Sequence, residues 1–443
     1  MTLPTMFPKA FIDNLNNSIC QQKAEVVLNA LNESPPVSVR VNPSKITLEK
    51  LQKNFGDNVE EPVKWAADEA FYLCKRSQFT LDPLFHAGAY YVQEASSMYI
   101  GTLLNKIMSE LGEHRLKVLD LCAAPGGKST QILSKLPIDS LLVTNEVIRN
   151  RASVLAENIA KWGKSGVAVT GNDPSDFGKL PNFFDIVLTD VPCSGEGMFR
   201  KNADAMEEWS IDNVKLCAAR QRRIVSDIWG SLKAGGYLIY STCTFNKFEN
   251  SDNIEWICTQ LGGEIIETRQ FLPGQDKGEG FFCSLIRKNG NWTNSRFTSG
   301  VKGEKSYCQE FIRDGYQLSS MGEMLKAYPA GLHGEIQFIE QKMRVIRSGI
   351  AVATRKGKDF IPEADLALSE ILRREFFNQA ELTHAEALQF LAKEKLDFNR
   401  YPLGYLLLNY QNIPLGFVKN LGTRSNNLHP SARRIRMSIS DQL

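Results

Sequence analysis

Residues 116 to 288 carry a repeating hydropathy rhythm. Short apolar blocks stand at Lys117–Leu121, Ser140–Thr144, Val167–Thr170, Ile186–Thr189, Gly236–Tyr240 and Phe281–Ile286. Between them lie stretches with helical spacing of apolar residues: one beginning near Lys128, then Ile148–Trp162, Ile211–Leu232 and Glu249–Leu261. Apolar residues three to four positions apart mark a helix face, whereas a short block without polar alternation marks a strand covered on both sides. Strand and helix in alternation predict an α/β fold built on a mostly parallel, doubly wound sheet.

The flanks read differently. Phe7–Leu31 has the spacing of one helix, Pro35-Pro36 breaks it, Val37–Val41 alternates like a strand, and Gly88–Leu104 reads as a helix leading into the sheet domain. Residues 289–306 lack periodicity and read as a linker. Phe360–Asn399 is acidic with a helical pattern, and the segment from Tyr401 suggests strands turning at Asn412 and Gly422. The expected division is 1–115, an N-terminal α/β extension; 116–288, the doubly wound sheet domain; 289–306, a linker; 307–399, an intermediate domain; and 400–443, a small β module.

Composition narrows the class. The first residues have no basic stretch followed by an apolar core, and no run of about 18 apolar residues occurs, so neither a leader nor a membrane span is expected. The nine cysteines include no Cys-x-x-Cys pair and the five histidines do not cluster with them, so no metal site is expected. Dispersed thiols in a long chain fit a reducing, cytoplasmic setting. Net charge is only +2, but its distribution is uneven: Arg400–Leu443 holds Arg400, Lys419, Arg424, Arg433, Arg434 and Arg436 against Asp441 alone. A basic end on a near-neutral chain is a candidate phosphate-binding surface.

Five strand ends concentrate the chemistry. The first runs into Asp120-Leu121-Cys122-Ala123-Ala124-Pro125-Gly126-Gly127-Lys128, whose small residues allow a sharp turn and close approach of a ligand to the backbone. The loop lacks Walker spacing, so a nucleoside without a triphosphate fits better. Glu146 follows the second strand, where a carboxylate meets ribose hydroxyls, and Asp173 follows the third, where it could meet a base. The fourth strand enters Asp190-Val191-Pro192-Cys193 and the fifth enters Ser241-Thr242-Cys243-Thr244. Two thiols at one edge of an open parallel sheet stand where ligands bind; a catalytic pair is preferred there over a disulfide.

LDLCAAPGGKS, TNEVIRNR, TDVPCSGEGMFRK and YSTCTFNKFEN, in that order and preceded by SVRVN and YYVQEASSM, resemble the motifs of the Sun-type RNA cytosine-5 methyltransferases. The resemblance spans Ser38 to Arg287, and Ser129 stands where that family commonly has threonine. It implies a Rossmann-like core that uses S-adenosylmethionine, held by Cys122 through Lys128, Glu146, Asp173 and Asp190. It implies that Cys243 is the nucleophile, that Cys193 assists product release, and that Asp190 favours attack by hydrogen bonding to the base. Thiolate addition to carbon 6 of cytosine would make carbon 5 nucleophilic, the logic of covalent catalysis. Length and the C-terminal half are most similar to the F-type branch acting on small-subunit ribosomal RNA, and Tyr401–Arg436 resembles its PUA-like RNA-binding module. The expected partner is therefore 16S ribosomal RNA or the 30S subunit, with the enzyme a monomer; a flipped-out base is implied. Rival readings are the same chemistry on transfer RNA, a non-catalytic ribosome-assembly factor, and an N-methyltransferase. The two thiols and the Asp-Val-Pro-Cys loop speak against the last two.

Overall fold

The computed structural model describes residues 7–112, 114–294 and 306–439. Its centre is an eight-stranded sheet. The parallel strands are β5 (Lys117–Asp120), β6 (Leu141–Asn145), β7 (Val167–Thr170), β8 (Phe184–Asp190) and β9 (Leu232–Thr242). They lie in the order β9-β8-β5-β6-β7, so the chain winds one way from β5 to β7 and the other way from β8 to β9. The reversal between β5 and β8 is the switch point at which open α/β sheets bind ligands. Alternate residues of each strand enter different cores. Val118, Leu142, Ile186 and Ile239 pack with the helices Ile100–Leu111, Gly127–Lys135 and Arg149–Trp162. Leu119, Val143, Val187 and Leu238 pack with the helix Ile211–Trp229. Burial on both faces is why these strands show no polar alternation.

The sheet is larger than the hydropathy blocks suggest. At one edge β11 (Phe281–Lys288) and β10 (Gly263–Phe271) add antiparallel. β10 escaped notice because most of its positions are exposed or half-buried and polar. At the other edge β14 (Val345–Ser348) pairs antiparallel with β7, and the helix His333–Lys342 buries Ile336 and Ile339 against the same core as β8. The segment 307–399 is thus not set apart from the catalytic sheet, as its linker-like approach had implied. Residues 295–305 of the expected linker lie outside the described residues. Its start is docked: Trp292 Nε1 donates to Asp185 Oδ1 at 2.8 Å.

In the N-terminal region β1 (Val37–Val41), β2 (Val59–Pro62), β3 (Ala70–Leu73) and β4 (Tyr90–Val92) form an antiparallel sheet ordered β2-β3-β1-β4. Two expectations fail here. Phe7–Leu31 is not one helix but two, Lys9–Ile19 and Gln21–Ala30, broken at Cys20 with φ +65°. Gly88–Leu104 does not begin as a helix. Its Tyr-Tyr-Val pairs with β1, and the Glu94 carboxylate accepts from the Ser96 and Ser97 amides, so helix starts only after it.

Beyond the linker β12 (Tyr316–Met321), β13 (Met324–Pro329), β15 (Ile350–Lys356) and β16 (Asp359–Pro362) form one antiparallel sheet. A last sheet joins β17 (Asn378–Glu381), β18 (Gly404–Tyr410), β19 (Ile413–Asn420) and β20 (Ser425–Asn427). Phe360–Asn399 is therefore mostly not helical. Within it only His384–Leu391, opened by a Thr383–Glu386 capping box, exceeds four helical residues. A boundary at 399/400 cuts through one sheet, since β17 pairs parallel with β18. The turns do fall as expected: Gln411 and Asn412 have φ +50° and +63°, and Gly422 +82°. This last sheet shares one hydrophobic core with the N-terminal sheet, Phe390, Leu406 and Val418 clustering with Val39, Phe71 and Leu84.

Candidate active site

The loop after β5 turns through Gly126 at φ +111°, a backbone state open to glycine, and starts the helix Gly127–Lys135. A β-carbon at Gly127 would come within 3.3 Å of Tyr91. The loop is braced from outside: Asn158 Nδ2 donates to Pro125 O at 2.8 Å and Arg151 Nη2 to Ala124 O at 3.0 Å. Cys122 is half-buried, and burial pushes its thiol up. The SVRVN and YYVQEASSM motifs act from behind. Arg40 is fully buried, stacks on Trp162, and donates to Gln93 Oε1 at 2.8 Å, Thr130 Oγ1 at 2.7 Å and Gly127 O at 3.2 Å. Those motifs lock the N-terminal sheet onto the loop.

Three acids were expected around this crevice, Glu146, Asp173 and Asp190, and Asp120 at the end of β5 adds a fourth. Asp120 is buried and accepts from Ser129 Oγ at 2.6 Å, while its Oδ1 has no partner. Burial raises its carboxyl to about 7. Glu146 is buried, accepts from the Ile148 amide at 2.9 Å and faces Arg151 at 3.4 Å. Asp190 accepts from Ser241 Oγ at 2.8 Å and pairs with Lys128 at 2.7 Å. Asp173 differs. It is exposed, and its carboxylate accepts from the Ser175 amide at 3.1 Å and hydroxyl at 2.8 Å, capping the short turn Pro174–Lys179. Asn145, at the end of β6, donates to Leu121 O and Asn172 O and accepts from the Asn172 amide, tying three strand ends together.

The two thiols meet. Cys193 Sγ and Cys243 Sγ are 3.0 Å apart, half-buried and unbridged. The neighbouring Cys243 sulfur and burial together push the Cys193 thiol well above its ordinary value. Two buried acids that sequence reasoning left without a role hold the loops. Glu196 accepts from Thr244 Oγ1, the Phe245 and Asn246 amides and Trp209 Nε1 at 2.6–3.1 Å. Glu249 accepts from the Ser194 amide at 3.0 Å, Gln221 Nε2 at 2.7 Å and Asn246 Nδ2 at 2.8 Å. The Gly197 amide donates to Cys243 O at 2.9 Å, and a β-carbon there would strike the Cys243, Glu279 and Gly280 carbonyls. The N-terminal helices buttress this cage, Phe11 packing on Phe199 and Trp209 in a cluster with Phe245. Glu196 and Glu249 lie inside motifs quoted above, but nothing in the sequence marks them as buried.

The family model described as 16S rRNA methyltransferase RsmB/F matches residues 108–287. Those for the RsmF N-terminal domain and the RsmF PUA domain match residues 7–95 and 377–435. A ribosomal RNA small subunit methyltransferase F from Pectobacterium atrosepticum is 30% identical over 96% of both chains. The chain belongs to the 16S rRNA methyltransferase RsmB/F family. A Shewanella loihica protein of the same name is 32% identical over 89% of this chain and 88% of its own. Among solved structures, a methyltransferase homolog from Pyrococcus horikoshii superposes with TM-score 0.56 at 27% identity, covering 64% of this chain and 95% of its own. NSun6 from the same organism, solved with SFG, gives 0.56 at 20% identity over 64% and 99%, a likeness of fold. The chain is thus an RsmB/F-family methyltransferase. Among its described residues no helix is long and apolar enough to cross a membrane, and no cluster of three metal-ligating side chains occurs.

Proposed function

We propose that this protein methylates carbon 5 of a cytosine in small-subunit ribosomal RNA, with Cys243 as covalent nucleophile and S-adenosylmethionine as cofactor. The carrying observation is the thiol pair, 3.0 Å apart at the carboxyl ends of β8 and β9 and beside the crevice at the β5/β8 switch point. The crevice suits a cationic nucleoside. Asp120, Glu146 and Asp190 outnumber Lys128 and Arg151, and Asp120 Oδ1 is a buried acceptor without a donor. Asp173, exposed and engaged with Ser175, is assigned an outer place at the rim. When bound, S-adenosylmethionine supplies the electrophilic methyl group.

The chain's own groups do the rest. The Cys243 thiolate adds to carbon 6 of a flipped-out cytosine, which shifts electron density to carbon 5. Asp190, fixed by Lys128 and Ser241, is assigned the hydrogen bonds to the pyrimidine edge that favour this addition. Cys193, whose thiol holds its proton, stands in contact with the sulfur that must leave. After methylation the carbon-5 proton departs to a base, the carbon–sulfur bond breaks, and Cys193 assists by protonating the departing Cys243 thiolate. The reaction is placed in the cytoplasm, on a monomeric enzyme. Bisulfite sequencing of total RNA from cells with and without the gene tests the reading. One or more protected 16S cytosines that vanish with the gene are expected. Loss confined to transfer RNA moves the substrate, and no lost cytosine in any RNA overturns the proposal.

A further inference from the structure

A pocket of about 400 Å³ opens between the N-terminal sheet, the helix Arg149–Trp162 and the C-terminal tail at Met437. Five aromatic residues line it: Phe85 and Tyr91, which are half-buried, and Phe79, Tyr90 and Trp162, which are buried. Two cations lie over them: Lys161 Nζ is 4.7 Å above the Phe85 ring and Arg76 Cζ 5.6 Å from the Phe79 centroid. Ser77, Gln78 and Asn158 add polar edges. The catalytic reading uses none of these groups as ligands.

Arg76 and Val92 also line a larger cleft of about 1020 Å³, so the two spaces adjoin. That cleft reaches Arg200, Lys201 and Gly278. Arg200 lies in the loop that begins at Cys193, and it donates to Gly278 O at 2.6 Å. The cleft therefore opens beside the thiol loops. Most of its acids are engaged. Glu94 accepts from three backbone amides, Glu60 pairs with Lys277, and Asp276 accepts from the Leu272 amide. Among the described residues Lys75 and Arg76 have no carboxylate within ion-pair distance, and Glu33 is the lining acid left to oppose them.

We infer that the aromatic pocket is a second base-binding site, holding one unstacked nucleotide of the RNA strand whose cytosine enters the thiol crevice. Aromatic faces with arginine and lysine beside them grip unstacked bases and their phosphates without strong sequence demand. The cleft carries the intervening backbone past Lys75 and Arg76. The pocket also touches the cofactor loop, since Asn158 bonds Pro125 O and Tyr91 packs on Gly127. An occupied pocket thus braces the loop from behind. The inference rests on the RNA-methylation reading given above.

The test uses the full chain, 16S transcript, and short oligoribonucleotides spanning the modified cytosine with 2-aminopurine placed in turn at each flanking position. Arg76→Gln and Phe85→Leu should each weaken transcript binding about tenfold. Cofactor affinity should stay as in the parent, and Arg76 is exposed, so its variant keeps the parent's thermal midpoint whatever Phe85→Leu does. One flanking position should be quenched by the parent and by Cys243→Ala but not by Phe85→Leu. Unchanged affinity in both variants while the parent methylates, or no quenched flanking position, overturns the pocket. Saturation of the pocket by AMP with no quenching by RNA also overturns it. A parent that neither binds nor methylates RNA overturns the functional reading itself, and the pocket with it.

Discussion

Two parts of the molecule bury carboxylates and balance them in opposite ways. Around the thiols, Glu196 and Glu249 are met by backbone amides, asparagine, glutamine and tryptophan N–H groups and a threonine hydroxyl. Among the described residues neither has a cation in ion-pair range. At the junction of the C-terminal module with the catalytic domain, Asp365 sits between two guanidiniums, Arg347 at 2.5 Å and Arg433 at 2.7 Å, and Arg433 also grips Glu157. Proton affinities follow. Burial pushes the Glu249 carboxyl up. Burial would raise Asp365 too, but Arg347 and Arg433 hold it below the usual carboxylate value. Directional neutral bonds fix atoms where reacting sulfurs must be placed. Ion pairs fix the pose of one module on another.

The sharpest break of this comparison is Cys243→Ala, which removes the group the neutral cage exists to place. Methyl transfer to RNA should be abolished while calorimetric cofactor affinity stays near normal, because Cys243 lies beside the loop after β5 and not in it. Normal turnover would contradict the role.

Next in size is the junction. Arg433→Ala leaves Asp365 and Glu157 short of a partner and should lower stability by about 3 kcal/mol near neutral pH, read by denaturant melts. The sign with pH follows from the two carboxyls. Asp365 has a lowered folded value, so its contribution is full above the ordinary carboxylate range and is lost as pH falls through the folded value. Glu249 has a raised folded value, so its contribution is full at low pH and is lost as pH rises through the folded value. Melting Asp365→Asn and Glu249→Gln across acid pH should therefore give gaps from the parent that change in opposite directions. Parallel trends would erase the distinction.

Smaller effects sort the crevice acids. Glu146→Ala should weaken S-adenosylmethionine binding by about 1–3 kcal/mol. Asp173→Ala should cost within about 0.5 kcal/mol, because that side chain is exposed and bonded to its own turn. Equal losses in titration calorimetry would return Asp173 to the inner shell. Smallest is the tail. Arg434 and Arg436 are exposed while Arg433 is held in ion pairs, so only the first two are free for phosphates. Substituting both by Gln should flatten the salt dependence of RNA binding by about 0.7–0.9 units each and leave the melting midpoint unchanged.

The crevice was legible in the sequence because topology assigns it. Once β5, β6, β8 and β9 are recognised as parallel, the residues just past them must converge, and Asp120, Glu146, Asp190, Cys193 and Cys243 do. What was not legible depends on distant partners. Arg433 looks like any tail arginine until Asp365 and Glu157 are beside it. Arg40 looks like a strand charge until Gly127 O and Trp162 surround it. β14 and the helix His333–Lys342 carry no mark that they complete a sheet begun far earlier in the chain. Cys20 breaks a helix at a residue type with no turn preference, so periodicity ran straight through it.

The central claim is that Cys243 bonds to the base and Cys193 helps release it. Cys193→Ala, incubated with substrate RNA and S-adenosylmethionine and run on a denaturing, reducing gel, tests this directly. The expected result is a slower-migrating, nuclease-sensitive band that disappears in Cys193→Ala/Cys243→Ala. A Cys193→Ala enzyme that turns over freely with no such band, or a band that survives loss of Cys243, would contradict the assignment.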